Sequence, residues 1–463
     1  MIRTTISICA LLGGLLILSL VLREAAGDEP QSGPQLLAPE NSSTADAPET
    51  KSTEANTDAP AGDVSAEAPA GDVSTDAPAG DVSTDAPAGE ANSDVPNSEA
   101  APASSDTIRV AVRTGERDTQ SLVQQPGETS RRDQVDSAEL DDLRDRMRQC
   151  LAYYYQRPED AGGRSPWGIM HALIAYGVDT EIYGGGHKVN AIGWLCWNGP
   201  CRGQRLLELK HDRLAAKQGP GVQGHHGQFL AMLAQSRVPT DFPIKVNGRE
   251  FTVADLIEFE QQGCIPKSEL TFKLIALSHY LPSDTTWSNQ HGEWGIERLI
   301  REELAQPIVG AACGGTHRMM GFSYAVRTRE KRGEPITGQW KRASKFIDDF
   351  HEYTFQLQNR DGSFSTNWFE GRGDFGDNAR RLQTTGHILE WLVYSLPKEQ
   401  LRDRRVVRTV DYLTRLMYDN RNYKWEIGPK GHALHALVLY DQRVFGSEAG
   451  DGAYRVARVG EAK

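Results

Sequence analysis

The chain is short of positive charge, of cysteine and of long apolar runs, and each shortage excludes something. Its 463 residues hold 51 Lys and Arg against 63 Asp and Glu, for a net charge of −12. The acidity is local: between Asp28 and Asp106 there are 17 acidic residues against the single Lys51, and from Thr107 onward the net charge is near +3. A nearly neutral folded part offers no basic patch for phosphates, so no nucleic-acid partner is expected. Five of the six cysteines follow the first apolar run, and an odd number leaves at least one thiol unpaired. Cys196 and Cys201, separated by WNGP, have the spacing of a short disulfide loop; Cys150, Cys264 and Cys313 read as small buried hydrophobes. No G-x-x-x-x-G-K-[ST] accompanies the glycines before His187, and no H-E-x-x-H occurs, so neither a cofactor nor a metal is assigned.

The apolar run Ile6 to Leu22 follows Arg3 and precedes Ala25, Ala26 and Gly27, the order of an export signal. At roughly 17 residues it is at the lower limit for crossing a bilayer, so residues 1–27 read as a signal peptide or a signal anchor. The protein is accordingly expected to be exported, whether periplasmic, cell-envelope or secreted, and tethered through residues 6–22 if the signal is retained. Residues 28–135 are an Ala/Pro/Gly-rich acidic linker with near repeats such as APAGDVSTD, too poor in apolar surface to offset the entropy of ordering. Residues 447–463 read as a flexible C-terminal tail.

Between them, residues 136–446 show helical periodicity and few strand signals. Six short segments resemble one another, starting at Ser165, Gly224, Ser268, Gly314, Thr384 and Lys430, roughly 44 to 70 residues apart. Each has a small or capping residue followed by about three apolar turns. Longer, striped helices lie between them. A helix that is apolar nearly all round must be buried, whereas a striped one faces water on one side. The expectation is an all-α fold, an α/α toroid of five or six helix pairs, with a stacked solenoid of the same pairs as the competitor. The stretch Gln358-Asn-Arg-Asp-Gly362-Ser-Phe364 resembles the QW motif of squalene cyclase and prenyltransferase-like toroids. That resemblance implies that Gln358 ties one helix end to another helix start and that Phe364 packs upon it.

The chemistry is less legible. The D-x-D-D acid motif of terpene cyclases is absent, and Asp348, Asp349 and Glu352 lie on a charged helix that reads as a solvated face. The segment around Cys313 and Gly314 resembles the thioester domain of complement and macroglobulin proteins, but Thr316 stands where that chemistry needs glutamine. Cys313 at a helix start is a candidate for a depressed pKa. The histidines are the unusual feature: His171, His225, His226, His317, His387, His432 and His435 all fall near the starts of the apolar helices. If those starts face one rim of a ring, the histidines converge there as neutral imidazoles, disfavoured as cations by helix N-termini. His171, His226, His317, His432, His435 and Trp391 are therefore candidate ligand-binding residues for a small molecule or glycan, in a binding or scaffold module. The enzymatic alternative is a carbohydrate-active hydrolase or lyase with His387, Glu390, Asp374 and Asp377 as acid/base groups, which requires those groups to converge within about 10 Å. Residues 180–206, too rich in glycine and tryptophan for a helix pair, stand where the first inter-repeat connection is expected and read as a surface hairpin.

Overall fold

The computed structural model describes residues 135–447; the expected signal, the linker up to residue 134 and the tail beyond residue 447 lie outside the described residues. Helices come in six successive pairs: α1 (Ser137–Tyr155) with α2 (Pro166–Tyr176), α3 (Ala191–Cys196) with α4 (Gln228–Gln235), α5 (Val253–Gln262) with α6 (Thr271–Tyr280), α7 (Ile296–Leu304) with α8 (Thr316–Lys331), α9 (Gly338–Gln356) with α10 (Asn378–Ser395), and α11 (Arg404–Asp419) with α12 (Ile427–Tyr440). The second helix of each pair is buried over most of its length; α2 leaves only Trp167 outside the fully buried class. The first helices α7 and α11 bury a stripe instead, as in Val406, Val407, Val410, Leu413 and Met417 of α11.

Hydropathy accounts for the layering. The even-numbered helices pack each against the next, α2 on α4 through to α10 on α12, and α12 packs back on α2. Each odd-numbered helix lies against the even one before it, with α1 against α12. The close approaches of α12 need glycine: against α2, a Cβ on Gly431 would sit 2.2 Å from the His171 carbonyl oxygen, and against α10, one on Gly386 would sit 3.0 Å from Ala433. Buried polar groups lock neighbouring pairs. Glu303 of α7 accepts from Leu270 N at 2.7 Å and Thr271 Oγ1 at 2.6 Å, capping α6, and from Arg318 Nε of α8 at 2.9 Å. Lys273 of α6 pairs with Glu260 of α5, both buried.

The fold is mostly α rather than all-α. Among the described residues there are four β-hairpins with two-residue turns: β2–β3 (Glu181–Gly184, His187–Asn190), β4–β5 (Leu207–Lys210, Arg213–Ala216), β6–β7 (Pro243–Val246, Arg249–Thr252) and β8–β9 (Thr286–Asn289, Gly292–Gly295), with β1 (Glu159–Asp160) pairing on β2. Three of them occupy the same place, running directly into α3, α5 and α7. The turn Asn247-Gly248 has φ of 52° and 77°, the left-handed pair that matches strand twist. The segment at 180–206 is thus in part a recurrent hairpin and in part α3. The bridge expected between Cys196 and Cys201 is absent: both are buried free thiols, and Cys201 Sγ donates to the Gly199 carbonyl at 3.7 Å.

Gln358, just past α9, donates from Nε2 to Arg405 O at 2.8 Å and Thr409 Oγ1 at 2.7 Å, both in the first turns of α11, while Phe364 is fully buried. Gly362 has φ 98° and would place a Cβ 2.6 Å from Arg408 O, so only glycine lets this turn rest on α11. No described helix is long and apolar enough to cross a membrane.

The α12–α2 seam yields a stability prediction. Gly431→Ala forces the two backbones apart and should cost about 1–3 kcal/mol, while Gly163→Ala, in ordinary contact with its surroundings, should stay within about 0.5 kcal/mol. Denaturant titration followed by circular dichroism measures both; equal midpoints for the two variants would refute the seam as a tight contact.

Candidate functional site

Histidines from α2, α8, α10 and α12, and from the turn just before α4, come together. Ring centroids of His387 and His432 are 4.0 Å apart, of His317 and His432 5.1 Å, of His317 and His387 5.5 Å, of His171 and His432 5.5 Å, and of His225 and His317 6.0 Å. Five helix starts therefore contribute to one cluster, with Phe272 of α6 beside His317 and Trp368 beside His387. His226 is not part of it; its side chain is exposed. Trp391 is core: its indole donates to Ser323 Oγ and its ring stacks on His351.

The protonation pattern follows from the partners. His171 Nδ1 donates to Trp167 O and His387 Nδ1 to Gln383 O, each at 2.7 Å. His432 Nδ1 donates to Glu390 Oε2 at 2.8 Å, His435 Nδ1 to the other oxygen of Glu390, and His225 Nδ1 to Glu269 Oε2 at 2.7 Å. Carbonyl and carboxylate oxygens only accept, so in the neutral ring Nδ1 carries the proton and Nε2 keeps its lone pair. His317 is the exception: it is buried, and neither ring nitrogen has a hydrogen-bond partner.

Burial keeps His171, His317 and His387 neutral. It lowers His317 and His387 well below their usual range and takes His171 to about 3, with the neighbouring His432 ring acting in the same direction in each case. Burial alone would raise Glu390, but His432 and His435 outweigh it and hold the carboxyl well below its usual value. Cys313 does not have the depressed pKa expected of a thiol at a helix start. Burial, with Glu269 and Glu390 adding to it, pushes it up to about 12. Its backbone is left-handed (φ 49°), as are Gly314 and Gly315, and this turn delivers the thiol to the cluster. Trp368, also left-handed, covers Gly314 so closely that a Cβ there would meet its ring at 2.3 Å.

Cys313, His317 and His387 present ligand atoms that all lie within 4.8 Å of one another, and they are the residues that could hold a metal. Sequence reasoning missed this set because its third member, His387, lies on another helix, 70 residues beyond His317. The one available signal was the four-residue spacing of Cys313 and His317 at the start of α8.

The acid/base set expected for a glycan enzyme is not assembled. His387 and Glu390 are inside the cluster, but Asp377 is exposed and caps α10 by accepting from Arg380 N at 3.0 Å. It lies ten residues before His387, about 15 Å along the helix. Asp374 is exposed and paired with Arg381 at 2.6 Å. Both aspartates are held at the surface by local structure, and Glu390 is occupied on both oxygens. No family model matches the chain, and no curated protein or solved structure matches it either.

Acid should dismantle the metal-free cluster. His171, His317 and His387 have folded pKa values below their unfolded one, so below about pH 6.5 the unfolded chain binds more protons and stability falls as pH falls. Glu390, also depressed, adds loss in the same direction below about pH 4.5. The melting temperature is expected to drop steadily from pH 7 to 4, at up to about 1.4 kcal/mol per pH unit per histidine. A flat profile between pH 7 and 5 would contradict the burial of neutral imidazoles.

Proposed function

We propose that this chain is an exported α/α toroid, built on the plan that the QW-like motif suggests, whose chamber binds a transition-metal ion through Cys313, His317 and His387. The ring reading is supported by the succession of even-numbered helices that ends with α12 against α2 and by Gln358 joining α9 to α11. A solenoid would leave its terminal pairs unpartnered. The binding-module reading of the histidine-lined mouth is kept, with an inorganic ligand in place of a glycan.

The observation that carries the metal is His317. A buried imidazole with no partner on either nitrogen costs about 1–3 kcal/mol for each polar atom left unmade, and a Lewis-acidic ion supplies a partner for the nitrogen that carries the lone pair. Its neighbours are the right ones: a thiol and a second imidazole whose Nδ1–H is tied to a carbonyl, which aims the Nε2 lone pair and fixes the tautomer. One sulfur and two nitrogens form a borderline-soft donor set, suited to Zn²⁺. Ligands around tetrahedral zinc sit about 3.5 Å apart, so small side-chain rotations from the present separations complete the site. The thiol loses its proton on binding despite its raised pKa, because a coordinating cation stabilises the thiolate directly.

Metal analysis of the untagged full-length protein, purified and then reconstituted with zinc, tests this reading. About one zinc per chain is expected, and at a free concentration of 100 Kd the folded state gains about 2.7 kcal/mol. Cys313→Ser and His317→Ala should each lose the ion and this gain. A protein that retains no metal and whose melting temperature ignores zinc, copper and cobalt would end the proposal.

A further inference from the structure

The C-terminal ends of the even-numbered helices gather a second set of like side chains. Arg237 follows the last turn of α4, His279 stands in the last turn of α6, Arg327, Lys331 and Arg332 close α8, and Arg443 follows α12. His317 and Lys331 are 14 residues apart on α8, about 21 Å along its axis, so this end is remote from the histidine cluster. The near-neutral total charge of residues 107–463 thus conceals a local concentration of cations. Arg443 Nη1 donates to Tyr394 O at 3.1 Å, and Arg327 Nη1 donates to the same carbonyl and to Leu396 O at 3.4 Å. Arg332 donates to Ser283 Oγ at 3.2 Å and His279 O at 3.3 Å. Among the described residues, Arg329 is the one basic side chain at this end of α8 that forms an ion pair, with Glu334 at 3.5 Å; Arg237, Arg327, Lys331, Arg332 and Arg443 form none. Tyr324 and Tyr394 stack beside them, with ring centroids 4.2 Å apart and planes at 7°. Burial raises both phenols, so they stay protonated.

A guanidinium at a helix C-terminus ordinarily caps carbonyls and offsets the helix dipole. That role accounts for Arg327, Arg332 and Arg443. It does not account for Arg237 and Lys331, which are exposed and whose side chains donate to no carbonyl among the described residues. The cations also act on one another. Partial burial and then Arg327, Arg237 and Arg443 lower Lys331; burial and then Arg327 take Arg443 to about 10; burial and then Arg237, Lys331 and Arg332 take His279 to about 4. Like charges held this close favour a counter-charge that the described residues do not supply.

We propose that this end of the bundle binds a small phosphoryl oxyanion carrying two or more negative charges, held by Arg237, Arg327, Lys331 and Arg443 beside the Tyr324–Tyr394 pair. A guanidinium fork matches the spacing of phosphate oxygens, and the lysine adds a point charge. Arg237 and Lys331 reach solvent, so the ligand requires no enclosed cavity. The exposed large apolar side chains, Tyr183, Ile265, Val309, Phe375 and Tyr423, are on none of these helix ends. Nothing here is built to enter a bilayer, which favours a phosphoryl group in solution over a lipid headgroup. The proposal does not rest on the metal reading.

Calorimetric titration of the full-length protein with sodium pyrophosphate, after metal removal by chelation, tests it. Saturable binding of about one pyrophosphate per chain is expected, weakening as NaCl rises from about 50 to about 300 mM. Arg237 and Lys331 hold no structural contact, so the double variant Arg237→Gln/Lys331→Gln is chosen to fold normally, as circular dichroism would confirm. It should bind about tenfold more weakly. Lys267→Gln/Lys424→Gln removes the same charge from two exposed side chains near the starts of α6 and α12, and should stay within about twofold of the unaltered chain. No binding, binding indifferent to salt, or equal weakening in the two double variants would overturn the proposal. Sedimentation with phosphatidylglycerol vesicles that pyrophosphate does not compete away, in a chain that binds no free pyrophosphate, would assign the cations to a membrane surface and overturn it as well.

Discussion

An imidazole can be taken out of water only if its nitrogens find partners, and the centre of this structure is organised around that constraint. Six histidines converge, and five of them, His171, His225, His387, His432 and His435, have Nδ1 pinned to a carbonyl or a carboxylate. Pinning one nitrogen determines what the other can do, so the same bonds that make burial tolerable present a set of aimed Nε2 lone pairs. His317 alone lacks any partner among the described residues. It stands next to the thiol that a strained turn delivers, which makes the cluster an incomplete arrangement of donors rather than a packing accident. Backbone held in left-handed geometry at Cys313 and Trp368 costs of order 1–3 kcal/mol per residue and persists where the surroundings over-determine it.

The scaffold makes the convergence possible by repeating one decision six times. Each buried helix begins near the same end of the bundle, because a striped helix on the outside returns the chain before the next buried one starts. Glycine at the closest crossings lets α12 meet both α2 and α10, so histidines from all three come within ring contact. Glu390 exploits the same closeness, reaching from α10 to two histidines on α12. Gln358 and Glu303 perform a related task away from the centre, where each satisfies groups at the end of a helix belonging to another pair.

Much of the architecture was legible in the sequence because hydropathy period and helix caps are local signals. Ser165 and Pro166 announce α2, and the apolar run after Gly314 announces α8; the register of these starts marked out the histidines that lie together, along with His226, which does not. The hairpins were not legible. Their strands are four residues long, too short for a period-two pattern to stand out, although Asn247-Gly248 carried a turn signal. Asp374 and Asp377 drew attention as carboxylates before a helix, but a carboxylate there is already employed in capping and in an ion pair with Arg381. Trp391 falls on the buried face of α10 away from the cluster, which spacing along one helix cannot distinguish from the face that lines it. Cys313 and His387 are 74 residues apart, and only the tertiary fold brings a thiol on one helix start to an imidazole on another.

Charge sets the last requirement on what the cluster can hold. Several helix N-termini end close by, and their partial positive charge disfavours a bare cation. The residues present offset that bias: Glu390 is held ionised by its two histidines, Glu269 stands at the part-exposed rim, and Cys313 becomes an anion once a metal engages it. A divalent ion with one thiolate and the Glu390 carboxylate in its outer shell is close to neutral overall, which is the condition under which a buried charge can remain buried. An anion would meet the ionised Glu390 at close range, with Cys313 a neutral thiol until a metal engages it. The electrostatics are therefore consistent with the class of ligand that the donor atoms favour.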